Sequence, residues 1–208
     1  MKAFLEKQRH SSCRRYSIEY KKVKLGDICK IRSGGTPSSK VTEYYTGNIP
    51  FLSINDMTSQ GKHVTETAKH ITEDAINSCS TWKAPAGSIV YSMCASVGFV
   101  SMVDVDFCMN QAIAVLTNLN KDVDKEYLYY ILTTLQGSDQ LESVITTGAQ
   151  RNINATILKN MIVNLPPLEH QLLISSLLSS YDSLIATVQL EQDSLIKIKS
   201  QLMTDIFS

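Results

Sequence analysis

A chain of 208 residues, 43% hydrophobic and 19% charged, has the composition of an ordinary globular protein and room for one large or two modest domains. Its five cysteines are odd in number and form no C-x-x-C pair, and its four histidines are equally scattered; this argues against a disulfide framework or a zinc site and for a reducing cytoplasm. Formal net charge is zero, yet residues 1–40 carry eleven Lys and Arg against three acids and the remainder carries the balancing −8, so a local phosphate-binding surface is compatible with a neutral whole.

In chain order, residues 1–22 are polar and basic without apolar periodicity, and read as a leader or linker; a solvated basic tail and a phosphate-binding arm fit them equally. They lack the apolar core of a secretory signal. "VKLGDICKI", Val23 to Ile31, alternates as a strand should. "RSGGTPSSK" is a loop by composition. "NIPFLSIND" predicts a strand opened by Pro50 and ending at Asn55 and Asp56. "HITEDAINSC" predicts a short helix capped by Thr72, with Glu73 and Asp74 in its first turn. "APAGSIVYSMCASVGFVSMV" predicts a turn at Pro85 to Gly87 and two strands joined around Ala95 to Gly98. Its apolar run, Ser88 to Val103, is too short and too interrupted to cross a bilayer.

"NQAIAVLTNL" predicts another strand. "VDKEYLYYILTTLQ" predicts a helix from Asp124 with Tyr127, Tyr130, Ile131 and Leu135 on one face. "SDQLESVITT" predicts a short helix ending before Gly148. A polar loop, "GAQRN", follows, then a short helix or strand, and "MIVNL" as a last strand before Pro166 and Pro167. Residues 23–165 thus read as one mixed α/β domain.

Residues 166–208 differ in kind. Ile174, Tyr181, Val188, Leu195 and Leu202 recur every seven residues. Leu177, Leu184 and Ile198 stand three later, while Leu178, Ile185 and Ile206 widen the stripe, which is interrupted at Glu191 and Gln192. No glycine or proline falls between Glu169 and Ser208, so one helix roughly 55–60 Å long is expected. No other segment matches its length. Its seam therefore calls for a second chain, with a helix folded back on its own domain as the alternative. The class is α+β: a mixed domain followed by a long C-terminal coiled-coil helix.

No phosphate-cradling G-x-x-x-x-G-K-[ST] or G-x-G-x-x-G occurs, nor a G-x-S-x-G elbow or an H-E-x-x-H pair. "NLPPLEHQ" departs from the Asn-Pro-Pro-aromatic motif of DNA amino-methyltransferases, because Leu165 separates the asparagine from the prolines and no aromatic follows. Cys94, between apolar strand residues, reads as packing. The sequence proposes no catalytic residue and no metal site. It does propose polar loops. "RSGGTPS" offers Arg32, Ser33, Gly34, Gly35 and Thr36, groups able to grip phosphate. "SINDM" offers Asn55 and Asp56. "GAQRN" places Gln150 and Arg151 together, able to bond an adenine edge and a guanine edge or phosphate. Each loop also reads as a plain surface turn.

In succession, "VKLGDICKIRSGGTPS", "GNIPFLSINDM", "KHITEDAI", "GSIVYSMCASVGFV", "NQAI", "YLYYIL", "TTGAQRNINATILKN", "LPPLEHQ" and a terminal heptad helix resemble the DNA-specificity subunit of type I restriction–modification enzymes over roughly residues 22–208. The resemblance implies a target-recognition domain followed by a spacer helix. In that family two such units read a split site on double-stranded DNA, and the subunit itself catalyses nothing. Methyltransferase and restriction subunits dock on it, and S-adenosylmethionine, ATP and Mg would belong to those partners. This chain holds one unit, so a homodimer through Ile174, Leu177, Tyr181, Leu184, Val188, Leu195, Ile198 and Leu202 would restore two heads. The resemblance implies a DNA-facing set of Arg32, Ser33, Gly34, Gly35, Thr36, Asn55, Asp56, Lys69, Ser92, Ser96, Gln150 and Arg151, with Lys30 and Lys40 as further phosphate contacts. Two rival readings are a dimerising adaptor that never meets nucleic acid, and an enzyme using Cys94 or Asp56.

Overall fold

The computed structural model describes residues 19–145 and 151–207. Strand β1 (Lys21–Lys24) pairs antiparallel with β10 (Ile162–Leu165), Lys21 opposite Leu165 and Lys24 opposite Ile162. Lys21 and Lys22, expected in the leader, therefore lie within the fold. The single strand expected over Val23 to Ile31 is broken by one helical turn, α1 (Leu25–Ile28), before β2 (Lys30–Ser33). Leu25 and Ile28, three residues apart, both point into the core, a helical spacing that outweighs the period of two in so short a stretch.

A five-stranded sheet runs in the order β2, β9 (Ile113–Thr117), β6 (Ser88–Ser92), β7 (Val100–Val103), β4 (His63–Val64). A three-stranded sheet has β3 (Ile49–Leu52) between β5 (Lys69–Ile71) and β8 (Cys108–Met109). The central strands β6 and β7 are buried throughout and divide their side chains between two cores. Ile89, Tyr91, Val100, Met102, Ala114 and Leu116 enter a core with Leu25, Leu128, Leu132 and Leu158. Their neighbours Val90, Val103, Ile113 and Val115 enter a second core with Leu52, Met57, Phe107 and Met109. Alternation along the strands produces this split, and each fully buried aliphatic side chain contributes roughly 1.5–3 kcal/mol.

Short helices close the domain, each started by a polar cap. They are α2 (Ile54–Gln60), α3 (Glu73–Asn77), α4 (Lys125–Thr133), α5 (Asp139–Glu142) and α6 (Ala155–Asn160), capped by Ser53, Thr72, Asp124, Ser138 and Asn154. The caps expected at Thr72 and Asp124 are present.

After Pro166 and Pro167 the chain forms one helix, α7 (Leu168–Phe207), of 40 residues, about 60 Å long. Its root is bound by Gln171, which is 1% exposed. The Gln171 amide donates to Asp122 O and Pro166 O, each at 2.9 Å, and its Oε1 accepts from Asp124 N at 2.9 Å. Ile174 packs partly against the larger core, so the first seam residue serves the domain as well. From Tyr181 to Phe207 every residue is exposed, Leu195 at 66% and Phe207 at 77%. Beyond Asp182, which pairs with Lys62 of the domain, the exposed helix does not fold back on its own domain. No helix is long and apolar enough to cross a membrane among the described residues.

Candidate nucleic-acid interface

Strand directions decide where the polar loops lie. Ser33 at the end of β2 pairs with Ala114, and Ser92 at the end of β6 pairs with Ile113, so both strands finish beside the start of β9. In the smaller sheet β3 and β8 run parallel, so Ser53–Asn55 and Asn110–Gln111 leave at one end; antiparallel β5 brings Lys69 beside Phe51 at that same end. Since β9 begins just after Gln111, the two sheets share this edge.

Backbone hydrogen bonds tie the loops of this edge together. Gly35 N donates to Met109 O (3.2 Å), Met93 N to Ala112 O (2.8 Å), Ala95 N to Arg151 O (3.2 Å) and Ile153 N to Met93 O (2.9 Å). Ala95 sits at φ +58°, a left-handed conformation sustained by those bonds.

The side chains at the edge fall into two groups. Arg32 is exposed, with its guanidinium 4.8 Å from the Trp82 ring centroid, and Trp82 Nε1 donates to Ser33 O at 3.2 Å. A flat cation stacked on an indole is held ready for a planar or anionic partner. Thr36 Oγ1 donates to Gln111 Oε1 at 2.6 Å, orienting an exposed amide. An open cleft of about 600 Å³ is lined by Thr36, Ser39, Tyr45, Thr46, Lys69 and His70. Tyr45 Oη donates to Pro37 O at 2.8 Å, and burial, with Cys79 nearby, pushes its phenol above the ordinary range, so it stays a neutral donor. Asn55 is exposed in the first turn of α2, Ser96 is exposed in the β6–β7 loop, and Arg151 is exposed and ion-paired with Glu142. Gln150 lies outside the described residues.

The second group belongs to the scaffold. Asp56 is 4% exposed, and its oxygens accept from Ser53 N (2.8 Å), Ser53 Oγ (2.6 Å) and Ala68 N (3.0 Å) in a capping box that also knits the turn before β5. Burial and these three bonds give Asp56 a scaffold role, in place of the expected DNA contact or catalytic acid. Ser92 is fully buried and its hydroxyl donates to Ser96 O. Gly34 and Gly35 are buried so closely that a Cβ on either would collide, with the Met109 carbonyl or with Ser80 Oγ. These glycines let the Thr36 loop lie close on β8; they do not themselves present a surface. Sequence reasoning missed Trp82, Gln111, Tyr45 and His70. Neither the Trp82 nor the Gln111 contact had a local signal, because Trp82 meets Ser33 across 49 positions and Thr36 meets Gln111 across 75.

Cys94, expected between apolar strand residues, is half-buried just past the end of β6, and its backbone forms an isolated bridge with Asn152. Among the described residues, no group of three or more His, Cys, Asp or Glu is placed to hold a metal ion.

The chain is thus an α+β domain with cross-braced polar loops on one edge and a long helix, mostly exposed and apolar along one seam, at its end. The family described as "Type I restriction modification DNA specificity domain" matches residues 17–200, and the chain belongs to that family. It is 30% identical over 186 residues to the type I restriction enzyme MjaIX specificity subunit of Methanocaldococcus jannaschii, covering 88% of this chain and 43% of that protein. Over 172 residues it is 30% identical to the EcoR124I/EcoR124II specificity subunit of Escherichia coli, covering 79% and 41%. The fold is shared with the HsdS subunit from Thermoanaerobacter tengcongensis, at a TM-score of 0.60 and 23% identity over 88% of this chain and 42% of that one. The chain thus spans less than half the length of these relatives.

Proposed function

We propose that this chain is a DNA-reading specificity subunit of a type I restriction–modification system, acting in the cytoplasm. It catalyses nothing; it directs methyltransferase and restriction subunits to a bipartite site, and S-adenosylmethionine, ATP and Mg serve those partners. The observation that carries this reading is the convergence of Arg32, Thr36, Asn55, Lys69, Ser96 and Arg151 on one braced edge of a domain in this family. In this reading Arg32, Lys69 and Lys40 would meet phosphate, while exposed Asn55, Gln111 and Arg151 would bond base edges. Gln150, adjoining Arg151, belongs to the same set. The adaptor reading explains neither the edge nor the family.

One unit reads one half-site. Two copies joined along Leu177, Tyr181, Leu184, Val188, Leu195, Ile198 and Leu202 would read two identical half-sites about a two-fold axis. The exposure of these residues in the protomer supports that pairing. Reconstitution with the cognate methyltransferase, followed by mapping of methylated sites, tests the whole reading. A symmetric bipartite motif is the expected result. Methylation at a continuous asymmetric sequence, or none that depends on this chain, refutes it.

A further inference from the structure

Over its first turns the long helix lies against the domain, with Ser175 buried and Ile174, Leu178 and Ser179 half-buried, and that contact ends at one charged cluster. Lys62 follows Gly61, whose φ of +78° ends α2, and its carbonyl accepts from Met102 N at 2.7 Å, which pins its backbone to β7. Its ammonium lies 2.8 Å from Tyr130 Oη, 2.9 Å from Glu126 Oε2 and 3.2 Å from Asp182 Oδ2. The Tyr130 and Tyr129 ring centroids stand 4.5 and 5.2 Å from it, and Tyr130 Oη also donates to Asp182. The Lys62 side chain is only 17% exposed. Burial pulls its ammonium down, but the hydrogen bonds to Tyr130, Glu126 and Asp182 outweigh that and hold it above the ordinary lysine range.

The cluster joins three parts of the fold. Lys62 is fixed to the five-stranded sheet, Glu126 and Tyr130 belong to α4, and Asp182 belongs to α7, about three turns beyond the Gln171 anchor. Gln171 and the packing of Ile174 and Ser175 hold the first two turns, and the cluster at Asp182 is a polar fixed point a turn or two farther out, where leverage on the helix direction is greatest.

We propose that Lys62 is a positioning residue that sets the angle at which the long helix leaves the reading domain, and so the number of unread base pairs between half-sites. This rests on the bipartite reading above. Roughly 25 residues, or ~38 Å of helix, extend past Asp182; a tilt of about 10° there moves the tip by ~7 Å, about two base pairs of rise.

The test compares the full chain carrying Lys62→Met, Asp182→Asn or Asp182→Glu, each with the cognate methyltransferase, by mapping methylated sites. Asp182 lies on the helix surface with its side chain 46% exposed, so its variants report even where Lys62→Met folds poorly. Expected are unchanged half-sites, a gap relaxed by one or two base pairs in the first two variants, methylation at the original gap reduced about five-fold or more, and a strict gap in Asp182→Glu. A gap that stays strict in Asp182→Asn, whether methylation is unchanged or uniformly reduced, overturns the proposal. If the wild-type chain directs no bipartite methylation, the functional reading fails separately, and small-angle scattering decides the angular role. Identical profiles for wild type and Asp182→Asn overturn it; a broadened distance distribution upholds it.

Discussion

Replacing Asp56 by alanine removes the acceptor for three donors at once: Ser53 N, Ser53 Oγ and Ala68 N. Loss of the capping box at the start of α2 costs about 1 kcal/mol. The Ala68 amide donates to a charged acceptor inside the fold, and losing that bond adds roughly 1.5–3 kcal/mol. A total of about 3 kcal/mol in a chain of this size corresponds to a fall in Tm of ~6–12 °C. Asp56→Asn keeps one oxygen and should lose about half as much. Circular dichroism melts of the three proteins give the stability, and methylation mapping in the reconstituted complex gives the sequence read. The recognised sequence should not change, since Asp56 faces no solvent; occupancy should fall, because the turn carrying Lys69 loses its brace. A Tm within 1–2 °C of wild type, with a changed base in the motif, would refute the assignment of Asp56 to the scaffold.

Three further outcomes follow from other parts of the structure. Arg32→Ala and Lys69→Ala should each weaken duplex binding uniformly across sequences and reduce the salt slope by about 1, measured in the reconstituted complex; Arg32→Lys should not restore Arg32, because an ammonium lacks the flat face that stacks on Trp82. Leu184→Lys should raise the dimer dissociation constant by roughly two orders of magnitude in sedimentation equilibrium, whereas a wild-type monomer at tens of micromolar would remove the dimer. Burial pushes the Cys29 thiol up to about 12 and the Cys108 thiol up to about 11 from an ordinary 9.0, so both stay protonated when folded while the unfolded chain ionises near 9. Their contribution to stability is complete below pH 9 and is lost as pH rises toward 11–12, and at pH 8 a thiol reagent should modify half-exposed Cys79 and Cys94 but spare Cys29 and Cys108 in the folded protein.

Features encoded by neighbouring residues were legible before the structure. Asp124 and Thr72 announce helices because a cap acts within three residues, and the seven-residue seam announces α7 because one long helix repeats one rule. The hairpin around Ala95 to Gly98 follows from two apolar runs and a glycine. What stayed hidden depends on distant partners. The strands β4 and β8, two residues each, are defined only by pairing with β7 and β3. The turn α1 hides in a pattern that also alternates. Among the polar residues, composition could not separate Asn55 from Asp56. Adjacent in one helical turn, they point to solvent and into a capping box; the Ser53-x-x-Asp56 spacing was a local signal for that box, while the Ala68 amide twelve residues away had none. The same limit applies to Ser92 and Ser96, one buried under the other's carbonyl and one exposed.

Under the proposed function, the division of labour at the edge gives a physical reason for placing recognition on these loops. Their main chains are mutually bonded, Gly35 to Met109, Met93 to Ala112 and Ala95 to Arg151, so backbone ordering is completed during folding and is not charged against binding. The side chains on the same loops, Arg32, Thr36, Asn55, Ser96 and Arg151, remain at the surface. A change of side chain there alters what the edge can bond without disturbing either core, whereas a change at Gly34, Asp56 or Ser92 disturbs the frame itself. The helix completes the logic, because a braced edge specifies a half-site sharply only if something equally stiff fixes where the second edge stands. A root locked by Gln171 and a contact at Asp182 supply that stiffness, and under the proposed function a chain with the same loops on a freely tilting helix would still find half-sites but would no longer measure the distance between them.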